Sequence, residues 1–139
     1  MIIMGVDLGQ VRTGISVCDP REVLASPVKV VTAHTPVKGL EEIHKAAGEL
    51  RAGKIVVGLP RNMDGTEGAS ALSARETAAR LQEITGLPVV LQDERGTTMT
   101  AHGYLNNTNV RGKKRRQTVD AVAAVIILQD YLDSSRRNG

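Results

Sequence analysis

A chain of 139 residues has the length of one ordinary domain and can bury about 70% of the surface that its unfolded form exposes. With 41% hydrophobic and 24% charged residues it has a globular composition, which excludes a disordered or fibrous chain. Its one cysteine, Cys18, can close no intrachain disulfide and build no cysteine zinc site. No run approaches the roughly 18 apolar residues of a membrane span, and the apolar start lacks a basic leader, so a cytoplasmic protein without membrane contact is expected.

Ile2 to Leu8 is short, apolar and β-branched, and predicts a first strand ending in a glycine-rich turn from Gly9 to Gly14. Ile15 to Cys18 begins a second strand, Asp19-Pro20-Arg21-Glu22 reads as a turn, and Val28 to Val31 reads as a third strand. Thr35 can cap a helix with Pro36 in its first turn, and Leu40, Ile43, Ala47 and Leu50 recur at helical spacing until Gly53 stops it. Lys54 to Leu59 is a buried strand, followed by a polar loop from Arg61 to Gly68 and a helix from about Ser70 to Thr85 closed by Gly86. Val89 to Gln92 is a further strand that delivers Asp93, Glu94 and Arg95 to the same sheet edge. A helix is expected near Thr97, then a basic loop, then a final helix capped by Thr118 and carrying the apolar run Val119 to Leu132. This order predicts a mixed α/β fold: a three-strand antiparallel meander plus two parallel strands, flanked by helices on both faces, with residues 1–139 forming a single domain. In open α/β sheets the site lies along the edge where strands end in polar loops.

Charge is unevenly distributed. Residues 1–110 hold 11 Lys/Arg against 12 Asp/Glu, whereas residues 111–139 hold 7 against 3. Arg111, Lys113, Lys114, Arg115 and Arg116 form a cluster suited to a polyanion, although a charge run is also the ordinary composition of a solvated loop. With two tyrosines and neither Phe nor Trp, the chain lacks stacking platforms, so any nucleic-acid contact should favour backbone and shape.

Three acidic signals stand out. Asp7 interrupts an apolar strand, and a carboxylate there needs a partner; a metal ion is one, a turn that it caps itself is another. Gly9 and Gly14 permit a tight turn that approaches a phosphate, to which Arg12 can offer a donor fork. Asp93 and Glu94 leave the last strand on opposite faces, so only one of them joins Asp7, and alternation alone does not choose. Asp120 shares a helical face with Ala123, Ala124, Ile127 and Tyr131, which turns an acid toward the core; the helix dipole alone also favours an acid in the first turn. Two carboxylates about 4 Å apart repel by about 4 kcal/mol at an effective dielectric of 20. Three converging acids therefore call for a cation, and all-oxygen ligands suit Mg²⁺ or Mn²⁺ acting on a phosphodiester.

The motifs Asp7-x-Gly9-x-x-Arg12-x-Gly14, Gly58-Leu59-Pro60, Asp93-Glu94-Arg95 with Thr97-Thr98, and the Asp120 to Gln129 helix resemble the YqgF/RuvX family of ribonuclease H-like nucleases. The resemblance spans nearly the whole chain, with all four motifs in the family's order. It implies a ribonuclease H-like fold and places Asp7, Glu94 and Asp120 on the family's acidic triad as catalytic and metal ligands, which selects Glu94 over Asp93. It also matches the Arg61 to Gly68 loop and the Lys113 to Arg116 cluster to the family's glycine-rich loop and basic stretch. Arg12, Arg61, Arg95, Lys113, Lys114, Arg115 and Arg116 are thus the candidate nucleic-acid contacts. One departure is Gly96, where the family carries a larger apolar residue.

The expected activity is metal-dependent hydrolysis of structured RNA, by resemblance the 5′ end of precursor 16S rRNA, by a monomer or homodimer. The competing readings are a resolvase of four-way DNA junctions, which needs two active sites and hence a dimer, and a non-catalytic RNA- or ribosome-binding factor. An actin-like ATPase is disfavoured because such folds enclose their nucleotide between two domains. His34, His44 and His102 are expected to be ordinary helix or surface residues, and Cys18 a small core residue.

Overall fold

The computed structural model describes residues 1–60, 62, 64–93 and 112–138, with the backbone alone at 112–120 and 136–138. Five strands, β1 (Ile3–Asp7), β2 (Arg12–Cys18), β3 (Ala25–Thr32), β4 (Lys54–Leu59) and β5 (Val89–Asp93), form one sheet in the order β3-β2-β1-β4-β5. The first three pair antiparallel, and β4 and β5 add in parallel to β1 and to each other. The five-stranded mixed sheet expected from the sequence is therefore present, and β1 lies at its centre.

Alternation along the strands sorts side chains into two cores. Met4 and Val6 of β1, Ile15 of β2, and Ile55 and Val57 of β4 pack under α1 (Pro36–Leu50) and α2 (Ala69–Thr85), where they meet Ile43, Ala47, Ala78 and Leu81. Ile3, Cys18 and Val56 face the other way and pack against Ile127, Leu128 and Leu132 of α3 (Gly112–Asn138). Each helix covers a sheet face that is apolar for a strand's period of two.

The helix ends follow local chemistry, with two corrections. The Thr35 hydroxyl accepts from Lys38 N at 3.2 Å and Pro36 opens α1 as expected, but Arg51, not Gly53, closes that helix in a left-handed conformation at φ 56°. Gly53 already belongs to the approach to β4, donating its N–H to Ile2 O at 2.8 Å. Gly86 closes α2 at φ 71°, donating to Gln82 O at 3.0 Å. The second correction concerns α3. It begins at Gly112, so Thr118 is not its cap, and Lys113 to Arg116 lie in helix and not in a loop. Lys, Arg and Gln are good helix formers, and nothing in Lys113 to Gln117 interrupts propagation toward the apolar run. The helix expected near Thr97 lies outside the described residues.

In β3 the register skips Val28, leaving Pro27 opposite Ser16 at a bulge on the edge strand, where a residue without an N–H is tolerated. The third strand runs longer, Ala25–Thr32, than its clean apolar stretch. Among the described residues no helix is long and apolar enough to cross a membrane.

Candidate active site

Asp7 is the last residue of the central strand, half-buried, and shares the parity of Ile3 and Gly5. It therefore points to the α3 face of the sheet. Its antiparallel partner is Gly14, and Gly58 lies one residue beyond the parallel pair Val6–Val57. A carboxylate on an otherwise apolar strand thus stands between two positions without side chains. Arg12 lies two residues from Gly14 on the same face and is solvent-exposed.

The helix above this floor is fixed by a close approach. A Cβ on Gly5 would overlap the Ser16 hydroxyl and come within 2.9 Å of Leu128 Cβ and 3.0 Å of Ala124 O. Buried Ser16 donates from Oγ to Ala124 O at 2.8 Å, which sets both the height and the rotation of α3. Gln129 adds a second anchor, accepting from Ala25 N at 2.9 Å and donating to Val23 O at 3.0 Å. Because Ile3 packs with Leu128 and Leu132 while Gly5 meets Ala124, α3 runs opposite to β1. Moving two residues from Gly5 to Asp7 advances about 6.6 Å. Moving one helical turn from Ala124 back to Asp120 advances about 6 Å in the same direction. The backbone at position 120 is thereby brought level with Asp7. The stripe shared with Asp120 is a core stripe as expected, since Ala124 and Ile127 are buried.

The sheet also fixes the side on which Asp93, the acid of β5, lies. Val89 and Leu91 pack into the α1/α2 core, so Asp93 shares their parity and lies on the face opposite Asp7. Asp93 pairs in register with Leu59, which packs with Ala71 and Ala74 of α2. Glu94, Arg95, Arg61 and His102 lie outside the described residues, and Asp120 and Lys113 to Arg116 are described by their backbone alone. Among the described residues no three His, Cys, Asp or Glu side chains converge on one point. What the described part contributes toward a hard divalent cation is one carboxylate, a donor type that suits Mg²⁺ or Mn²⁺.

Next to this edge, the chain after β4 is strongly self-bonded. Asn62 N donates to Thr66 O at 2.9 Å, Gly65 N to Asn62 O at 2.9 Å, and Thr66 Oγ1 to Asp64 Oδ1 at 2.7 Å. Glu67 then accepts from Arg75 Nε and Nη2, both at 2.7 Å, so a two-point ion pair ties the loop to α2. That pair raises the Arg75 guanidinium above its ordinary value. Sequence reading missed it because an eight-residue separation crosses from loop to helix and belongs to no single period. Ser16 was also missed; its signal was a small polar residue on the inward parity shared with Gly14 and Cys18.

The remaining residues behave simply. His34 and His44 are exposed. Cys18 is buried, accepts from Ile3 N at 3.2 Å, and its thiol is pushed above the ordinary range by burial. A cleft of about 500 Å³, lined by Leu8, Val11, Val37, Leu40, Thr77 and Arg80, opens on the α1/α2 side. The sheet separates it from Asp7, so it is no part of the acidic site.

Comparison with known proteins agrees with this fold. Residues 1–134 match the family model described as RuvX: Holliday junction resolvase. A Rhodopirellula baltica protein named "Putative pre-16S rRNA nuclease" is 41% identical over 99% of this chain and 79% of its own length. A Pelotomaculum thermopropionicum protein of the same name is 42% identical over 99% of this chain and 90% of its own. The RuvC of T. thermophilus, solved with a Holliday junction substrate, aligns over 100% of this chain and 98% of its own with a TM-score of 0.59. At 18% identity that likeness establishes the ribonuclease H-like fold.

Proposed function

Because the chain belongs to the RuvX family, matched over residues 1–134, we propose that it is a divalent-metal-dependent nuclease acting in the cytoplasm on structured RNA, at the 5′ end of precursor 16S rRNA. Residues 1–139 act as one nuclease domain. The single observation that carries the reading is Asp7 at the end of the central strand, between Gly14 and Gly58, with the backbone of position 120 level with it. The names of the relatives favour precursor rRNA as substrate.

Asp7, Glu94 and Asp120 are the proposed metal ligands. The opposite facing of Asp93 supports Glu94 as the second acid. When bound there, Mg²⁺ or Mn²⁺ supplies Lewis-acid polarisation of the phosphodiester and relieves the repulsion among the carboxylates. In the hydrolysis a water oxygen forms the new bond to phosphorus, the bond to the leaving sugar oxygen breaks, and that oxygen takes up a proton. Position 120 keeps its place level with Asp7 because α3 cannot slide along the sheet while Ser16 and Gln129 anchor it. Arg12, Arg61, Arg95 and the cluster from Lys113 to Arg116 hold flanking phosphates by charge.

The family model's own description favours a second reading, resolution of four-way DNA junctions. The two are separated by incubating the protein with Mg²⁺ or Mn²⁺ and either a 5′-extended 16S precursor RNA or a four-way DNA junction. Cleavage of the RNA alone is expected. Symmetric nicking of the junction by a dimer would replace the proposal with the resolvase, and RNA binding without cleavage would leave a non-catalytic factor.

A further inference from the structure

One polar side chain on the Asp7 face has no role in the site described above. Gln92 of β5 pairs in register with Gly58, the same glycine that flanks Asp7. Read across the sheet, one row of positions therefore runs Val30, Gly14, Asp7, Gly58, Gln92. Val89 and Leu91 turn into the α1/α2 core, so Gln92 takes the opposite parity and faces the same side as Asp7. It is half-buried, and among the described residues its amide has no hydrogen-bond partner. A partly exposed amide in that state keeps its donors available to a ligand.

Two strand spacings separate the Asp7 and Gln92 backbones, about 10 Å in all. That is too far for Gln92 to share a cation with Asp7. It is the right separation for contact with the next stretch of a strand whose reacting phosphate lies at Asp7, because Gly58 puts no side chain between them on the sheet. The amide is neutral and presents two N–H donors, which suits an anionic phosphate oxygen without adding charge to the acidic site.

We infer that Gln92 is a substrate-contacting residue, whose side-chain amide donates a hydrogen bond to a backbone phosphate next to the one cleaved. The inference rests on the proposed nuclease reading and deepens it by assigning a subsite. It makes β5 a positioning strand as well as the carrier of the acids that follow it. A hydrogen bond to a charged group predicts a loss of about 10-fold or somewhat more when the donor is removed.

The test measures kcat and KM on a 5′-extended 16S precursor RNA for the parent, Gln92→Leu and Gln92→Glu, with thermal melts to confirm that each variant is folded. Gln92→Leu keeps the volume and removes the donors. Its KM is expected to rise roughly 5- to 30-fold with kcat within about threefold of the parent. Gln92→Glu keeps the length but places a negative charge toward the phosphate, so its KM should rise at least as far; it also carries the test if the leucine variant fails to fold. Parental KM in either folded variant overturns the inference. Asp7→Asn is assayed in parallel: if it retains cleavage the nuclease reading fails, whereas if it abolishes cleavage while Gln92→Leu behaves as the parent, only the Gln92 subsite fails.

Discussion

Gly5→Ala tests whether the height of α3 above the sheet governs both stability and activity. The added methyl would overlap the Ser16 Oγ and lie 2.9 Å from Leu128 Cβ and 3.0 Å from Ala124 O. Ordinary carbon contacts are about 3.5–4.0 Å, so α3 must back away by roughly 0.5–1 Å. Overpacking of this kind costs about 1–3 kcal/mol. Displacing the Ser16 hydroxyl from Ala124 O, a buried bond of 2.8 Å, removes about 1 kcal/mol more. A loss of about 2–4 kcal/mol follows, which at a urea slope of about 2 kcal/mol/M lowers the denaturation midpoint by about 1–2 M. The same displacement lifts position 120 away from Asp7. Under conditions where the variant is still folded, kcat for RNA cleavage should fall about 10- to 100-fold, since misplacement by about 1 Å can cost that much. Adding Ser16→Gly removes one of the three clashes, so the double variant should be more stable than the two single effects together imply. A Gly5→Ala protein with the parental midpoint and a kcat within twofold would refute the reasoning.

Further predictions concern charge and the loop. Replacing Lys113, Lys114, Arg115 and Arg116 with glutamine should weaken RNA binding and make the slope of log affinity against log salt shallower by about 3 in filter binding, near the single-strand coefficient for four phosphates; an unchanged slope would remove the cluster from the interface. Arg75→Ala cuts the two-point tie to Glu67, so limited proteolysis should cleave faster within 62–68 while the melting profile of the sheet is little changed. Asp19 accepts from Val23 N at 2.8 Å and Leu24 N at 2.9 Å, and these backbone bonds hold its carboxyl below the ordinary range. Its stabilising contribution is thus present above the unfolded value of about 3.9 and is lost as pH falls through the lower folded value. Asp19→Ala should be less stable than the parent at pH 7, and the gap should close in acid denaturation curves as pH drops below that range.

The fold was legible because its signals were local and periodic. Met4 and Val6 alternating with Ile3 and Gly5, and Ile127 recurring at helical spacing with Ala124, each show a buried face directly in the sequence. Element ends were harder. Gly53 suggested a helix stop, yet Arg51 takes the left-handed position itself, because a single exposed residue can bear that strain where the chain must turn into β4. The basic run resembles a loop in sequence because charge density hides helix propensity, and α3 simply continues through it. In the site, Asp7 was visible as a charge inside an apolar strand. The choice between Asp93 and Glu94 came from the family resemblance and not from periodicity, because parity has meaning only once Val89 and Leu91 are known to face α1 and α2. The importance of Ser16 and Gln92 was equally hidden: each depends on register with another strand, and register is a property of the folded sheet.

The most direct experiment is Mg²⁺- or Mn²⁺-dependent cleavage of a 5′-extended 16S precursor RNA by the parent and by Asp7→Asn, with RNA affinity measured on the same preparations. Metal-dependent cleavage by the parent, lost by at least 100-fold in Asp7→Asn with RNA affinity retained, is the predicted result, in line with the scale on which losing a positioned catalytic group is felt. Cleavage that survives Asp7→Asn, or that proceeds equally in excess chelator, would contradict a metal-dependent active site at the end of the central strand.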